Sequence, residues 1–242
     1  MLFYVIIFMG DDMVRIGVPL RYNHLDDGRL VLYLGEIVRR TFQKAGAFLV
    51  PFVQVQDFDF REEHKEDCKP LNDKEKSLVD KYLDTVDGVL LPGGIEVTSF
   101  DRYLVERCID RDIPVLGICL GIQAMSSYKY EYKLEKYDEN NIINHCQDDD
   151  NLLTHKVKIN KDSLLYKIIG KEEIMVNSFH HYHIVDKGKF DVSAIADDGT
   201  IEAIEMRDKK FVLGVQWHPE ISYEFDENSK LIIDAFINTC KK

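Results

Sequence analysis

An α/β fold on a mixed sheet, parallel in its first half and antiparallel in its second, is predicted by three features of the 242-residue chain. Up to about residue 126, short apolar runs alternate with helical patterns, which is the signature of βαβ units. From residue 155 onward strand patterns follow one another and a helix closes the chain, which suits antiparallel additions. The composition, with 45% hydrophobic residues, 14 glycines and six prolines, excludes a collagenous or wholly disordered chain, and the length suffices for one well-buried core. No repeat or linker marks a boundary, so residues 13–242 are expected to form a single domain.

Residues 14–20 read as the first strand. Between 31 and 45 the apolar residues Val31, Leu34, Val38, Phe42 and Ala45 recur at three- and four-residue steps, so the spacing predicts a helix with one buried face, and Gly46 stands where it stops. Residues 47–53 form the next strand. The polar stretch 54–72 reads as a solvated loop leading into a helix over 73–84. An apolar run over 86–91 is a strand ending in Pro92-Gly93-Gly94, followed by a helix over 102–111 and a strand over 113–118 that turns at Cys119 into another helix. Residues 127–151, rich in Lys, Tyr, Glu, Asp and Asn, keep neither period and read as an exposed insertion or lid. Strands are expected over 155–159, 173–178, 191–196, 201–205 and 211–217, and a helix over 228–239.

Charge narrows the class of function. Lys and Arg number 31 against 43 Asp and Glu, a net charge of −12, and a nucleic-acid partner needs a basic face that this chain lacks. Five cysteines without a CxxC pair fit a reducing, cytoplasmic setting. The apolar run from Leu2 to Met9 is too short to span a bilayer and has no basic flank or cleavage pattern, so neither a signal peptide nor a membrane partner is expected. Residues 1–12 read as an N-terminal extension, with Met13 an alternative start.

Two constellations carry chemistry. Gly117-Ile118-Cys119-Leu120-Gly121 follows an apolar strand and precedes a helix, a Gly-x-nucleophile-x-Gly elbow with cysteine as nucleophile. So tight a turn leaves no room for side chains at its flanks, hence the two glycines. A helix N-terminus favours an anion, and the thiolate is the attacking form of cysteine. The second is Gly214-Val215-Gln216-Trp217-His218-Pro219-Glu220. Residues two apart on an extended chain project to one side, so Glu220 can hold the His218 ring as the base a cysteine nucleophile needs. His181 and His183, also two apart, raise a zinc reading, but no Cys or carboxylate stands at zinc spacing, and no metal site is expected.

GICLGIQ at 117–123 and GVQWHPE at 214–220 resemble the class I glutamine amidotransferases, and VNSFHH at 176–181 is similar to their stand-alone γ-glutamyl hydrolase branch, the peptidase C26 type that includes γ-glutamyl-γ-aminobutyrate hydrolases. The resemblance runs from about Arg15 to Phe236. It implies a flavodoxin-like three-layer αβα fold with a mostly parallel central sheet and antiparallel additions, and a triad of Cys119, His218 and Glu220. It implies an oxyanion hole from the N–H groups of Gly94 and Leu120, with Gly93, Gln123, Ser178, His180 and His181 as substrate-binding candidates. The expected reaction releases glutamate from a small γ-glutamyl compound through a thioester on Cys119, with no cofactor.

Two departures bear on substrate. The hydrolase branch carries a Gly-Gly strand and turn after the elbow helix, whereas 127–147 here has no glycine, and Tyr182 stands where those enzymes often carry Gln. Both lie where the leaving amine would be read, so its identity stays open. The alternatives are a glutaminase subunit supplying ammonia to a separate synthase chain, and a non-catalytic binding protein on the same fold. A homodimer is compatible with either.

Overall fold

The computed structural model describes residues 13–56, 69–130, 133–137 and 143–241. The expected extension 1–12, the middle of the polar loop (57–68) and parts of the insertion (131–132 and 138–142) lie outside the described residues. In chain order the elements are β1 (Val14–Pro19), β2 (Arg21–His24), β3 (Leu30–Tyr33), α1 (Glu36–Lys44), β4 (Ala47–Phe52), α2 (Asp73–Leu83), β5 (Gly88–Leu91), α3 (Ser99–Asp110), β6 (Val115–Ile118), α4 (Leu120–Ser126) and β7 (Leu134–Lys136). They continue with β8 (His155–Ile159), α5 (Leu164–Ile169), β9 (Glu173–Val176), β10 (Tyr182–Ile184), β11 (Asp191–Ala196), β12 (Ile201–Glu205), β13 (Val212–Val215), α6 (Pro219–Ser222) and α7 (Glu227–Cys240).

Among the described residues, nine strands form the central sheet in the order β4-β1-β5-β6-β13-β12-β11-β8-β9. The first five are mutually parallel, and numbered among themselves they run 2-1-3-4-5, the flavodoxin-like order. The other four extend the sheet in antiparallel pairs. Side chains alternate across the pleat. Val89, Leu91 and Val115 join one core with Val79, Leu104, Val105 and Ile122 of α2, α3 and α4, while Leu90, Leu116 and Ile118 join the opposite core with Phe42, Leu165, Ile232 and Phe236 of α1, α5 and α7. Helices thus cover both faces, the αβα arrangement expected.

The expected helix over 31–45 begins only at Glu36. Residues 30–33 instead pair with 21–24 as a hairpin closed at Gly28, whose φ of 79° suits glycine; Val31 and Leu34 fit a helical step and a strand equally well. The helix after the Gly-Gly turn starts three residues earlier than predicted, because Thr98 and Asp101 form a reciprocal capping box. Within the insertion, β7 pairs with β10. The short helices α5 and α6 were hidden, being only six and four residues long. No helix among the described residues is long and apolar enough to cross a membrane.

Candidate active site

The C-terminal ends of β5, β6 and β13 lie side by side, where a doubly wound sheet presents its loops to a ligand. β6 runs into Cys119, which caps α4 with φ 52° and ψ −103°. For a residue with a side chain this is a strained backbone, held here by the packing around it. A Cβ on Gly121 would lie 2.3 Å from the Leu91 carbonyl oxygen, and one on Gly117 would meet Met125 Sδ at 2.5 Å and the Gly121 backbone at 2.8 Å. The glycines that flank the thiol are therefore required by close approach on both sides, as the motif implied.

The turn after β5 closes over the same point. A Cβ on Gly93 would lie 2.9 Å from His218 Cε1 and 3.7 Å from Cys119 Cβ, and one on Gly94 would lie 2.9 Å from Leu120 Cδ2. Gly93, Gly94, Cys119, Leu120 and His218 thus meet, although they come from three separate loops.

After β13, Pro219 opens α6 and turns Glu220 back toward the histidine. His218 Nδ1 and Glu220 Oε1 are 2.7 Å apart, in a setting where Glu220 is 3% exposed. Burial works against charging the His218 ring, but Glu220 and Cys119 beside it outweigh burial, and its pKa stands well above the ordinary histidine value. The Phe179 ring packs roughly perpendicular to the imidazole, with centroids 5.6 Å apart.

Three supporting residues escaped sequence reasoning. Asn177 donates from Nδ2 to the His218 carbonyl and accepts at Oδ1 from the His218 N–H, both at 2.8 Å, and so clamps the histidine backbone. Thr41 of α1 donates to the Glu220 carbonyl. Arg21 of β2 donates to the carbonyls of Pro92 and Gly93 and ion-pairs with Asp101 of α3 at 2.7 Å, all in the interior. Only Asn177 had a local signal, its place in VNSFHH; nothing near Arg21 or Thr41 in sequence announces their partners.

The remaining substrate-binding candidates lie as follows. Gln123 is buried, and its amide donates to the Tyr182 carbonyl at 3.1 Å. Ser178 is fully buried and donates to the His145 carbonyl. His180 turns its ring into the interior, 3.8 Å from Glu202. His181 stays at the surface with Nε2 3.5 Å from Cys146 Sγ. Ser178 and His180 therefore belong to a buried cluster that also holds His145, His155 and Glu202. Burial would raise the pKa of Glu202, but His145 and His155 outweigh it and hold the carboxylate down to about 2; burial pushes His180 down to about 3.

A family model described as Peptidase C26 matches residues 98–220. The glutamine amidotransferase-like protein YvdE of Lactococcus lactis is 31% identical over 185 residues, covering 66% of this chain and 77% of that one. The γ-glutamyl-γ-aminobutyrate hydrolase PuuD of Escherichia coli is 25% identical over 197 residues, covering 69% and 77%. Among solved structures, the glutaminase domain of Trypanosoma brucei CTPS with bound acivicin superposes with a TM-score of 0.60 at 18% identity, over 93% of this chain and 92% of that one. A glutamine amidotransferase from Thermotoga maritima gives 0.56 at 14% identity, over 95% of this chain and 99% of that one.

Proposed function

Because the chain belongs to the peptidase C26 family, an amidohydrolase and amidotransferase-like class of enzymes, we propose that it hydrolyses the γ-glutamyl amide bond of a small compound with Cys119 as nucleophile. The observation that carries this reading is the meeting of the strained Cys119 elbow, the His218–Glu220 pair and the Gly93-Gly94 turn at one point.

The Cys119 thiolate adds to the γ-carbonyl carbon, forming a C–S bond while the carbonyl electron pair moves onto oxygen. The N–H groups of Gly94 and Leu120 receive that oxyanion, each such donor being worth roughly 3–4 kcal/mol of barrier. As the intermediate collapses the C–N bond breaks, and the amine leaves with a proton from His218. A raised His218 pKa favours the protonated ring that this step needs. Water then attacks the thioester, His218 takes its proton, the C–S bond breaks and glutamate departs with the thiolate restored. Glu220 holds the ring and offsets its charge throughout. Arg21 and Asn177 act as positioning residues, one on the oxyanion turn and the other on the His218 backbone.

The leaving amine is read by the region around β7, β10 and Tyr182, where the chain departs from the hydrolase pattern. A second reading, a glutaminase that serves a separate synthase chain, draws support from the glutaminase domain of T. brucei CTPS having the same fold. Glutamate release from glutamine, γ-glutamyl-γ-aminobutyrate and γ-glutamyl peptides, measured for the native chain and Cys119→Ala, tests both. Turnover that Cys119→Ala abolishes is expected. Release from glutamine alone, and only once a synthase is added, would favour the second reading; no release by the folded chain under any condition would sink both.

A further inference from the structure

In the interior, His145, His155 and Glu202 come together from three separate parts of the chain, with donor atoms all within 4.8 Å of one another. His145 precedes β8, His155 opens β8 and Glu202 lies on β12. His180, from the loop before β10, approaches the same carboxylate. The distances to Glu202 Oε1 are 3.4 Å from His145 Nδ1, 3.2 Å from His155 Nε2 and 3.8 Å from His180 Nε2. Two ligands of a tetrahedral ion with bonds of about 2.0–2.1 Å lie about 3.3 Å apart. All four side chains are nine-tenths or more buried.

The outer hydrogen bonds decide which nitrogens face inward. His145 Nε2 is 2.8 Å from Asp198 Oδ2. A carboxylate there accepts the Nε2 proton, so in the neutral ring the Nδ1 lone pair points into the cluster. His180 Nδ1 is 3.3 Å from the Tyr182 carbonyl, which can only accept, so the proton sits on Nδ1 and Nε2 carries the lone pair. His145 Nδ1, His155 Nδ1, His180 Nε2 and Glu202 Oε2 have no aligned hydrogen-bond partner, though each is buried. His155 can donate to Glu202 from Nε2, which leaves His145 Nδ1, His180 Nε2 and Glu202 Oε2 facing one another without partners in a dry interior, a set that a cation would satisfy. Imidazole and carboxylate ligands backed by a carboxylate and a carbonyl are what zinc and its first-row neighbours take.

We propose that His145, His155, His180 and Glu202 bind one divalent transition-metal ion, with zinc the best fit, as a structural centre independent of the Cys119 chemistry. His155 joins through Nε2 with its proton on Nδ1. Four protein ligands complete a tetrahedron, so the ion ties chain segments together and leaves no position for substrate. It joins β8 and β12 to the 177–181 segment, and so fixes Phe179 against His218. The sequence hid the set because its members are 10, 25 and 22 residues apart along the chain, far from any local ligand spacing. A cavity of about 500 Å³ lined by Glu135, Tyr137, His183 and Asp198 adjoins the cluster. Tyr137 stacks on His145 with centroids 4.3 Å apart, and the two acidic residues give a cation an access route.

The test uses the full chain as Cys119→Ala, so that the Cys119 thiol cannot contribute a ligand. After equilibration with zinc and removal of the unbound ion, elemental analysis is expected to return one zinc per chain. Cobalt in its place is expected to give the visible bands of a four-coordinate ion, and chelation to lower the melting temperature. Asp198→Asn should weaken binding roughly 10–100-fold, and Glu202→Gln by more. Cys146→Ser, which removes the surface pair with His181, should bind as its parent does. A folded parent chain that retains less than about a tenth of an equivalent overturns the proposal, whether or not the variants fold; so does binding that Cys146→Ser abolishes. Because the readout is metal content, a native chain that releases glutamate yet binds no ion would overturn this inference alone.

Discussion

Gly93 leaves the proposed chemistry little room on the side of the histidine. Its missing Cβ leaves space for His218 Cε1, which an added methyl would approach to 2.9 Å, a contact that forces the ring or the turn to move. Gly93→Ala is expected to lower kcat roughly 10- to 100-fold while the melting temperature changes little; equal losses of activity and stability would assign Gly93 to folding instead. The cysteines separate in the same physical way. Cys108 and Cys240 are buried in the core, and burial pushes both thiols up, Cys240 to about 12. A thiol whose pKa is raised in the fold adds stability that is complete below its unfolded pKa of about 9 and is lost as pH rises toward 12. Stability should therefore decline above pH 9, and Cys108→Ala with Cys240→Ala should flatten that decline. Mass-resolved alkylation at neutral pH should leave both unlabelled until the chain unfolds.

At the scale of elements, the β2–β3 hairpin and α3 are coupled by the buried pair of Arg21 and Asp101, which also sets the Pro92 and Gly93 carbonyls. Removing one partner of a buried pair leaves an uncompensated charge, at a cost of about 3–5 kcal/mol. Asp101→Ala also breaks the capping box with Thr98. Denaturant unfolding should show a loss of that size, and kcat should fall with it because the oxyanion turn loses its support. Unchanged stability would mean the hairpin is held by other contacts. The hairpin was missed from sequence because the apolar steps of residues 31–34 fit a helix as well as a strand, and only pairing with residues 21–24 separates the two.

Across the whole molecule, the two cores share one sheet, since neighbouring residues of β5 and β6 point to opposite faces. Unfolding one face exposes the other, so residues 13–242 should melt as one cooperative unit. Phe236 of α7 is fully buried and packs its ring against Phe42 and Phe211. Phe236→Ala should cost about 3–5 kcal/mol and shift a single calorimetric transition downward without splitting it. Two resolved transitions would divide the chain into separate domains.

What the sequence determined by itself is what lies close along the chain. The alternation of strand and helix, the Gly-x-Cys-x-Gly elbow and the His-Pro-Glu turn are local patterns, because a tight turn imposes its chemistry on neighbours, although His218 and Glu220 meet through the first turn of α6 and not along an extended chain. The flavodoxin-like fold class came with the family resemblance, and the parallel strands of the sheet run in the flavodoxin-like order. Tertiary structure alone decided the contacts between distant segments. Arg21 reaches a turn some seventy residues away, Asn177 grips His218 across 41 positions, and three histidines with a glutamate converge from separate strands and loops. Such contacts carry no period or spacing. They arise because the sheet lays the ends of its strands side by side, and buried polar groups must then find their partners there.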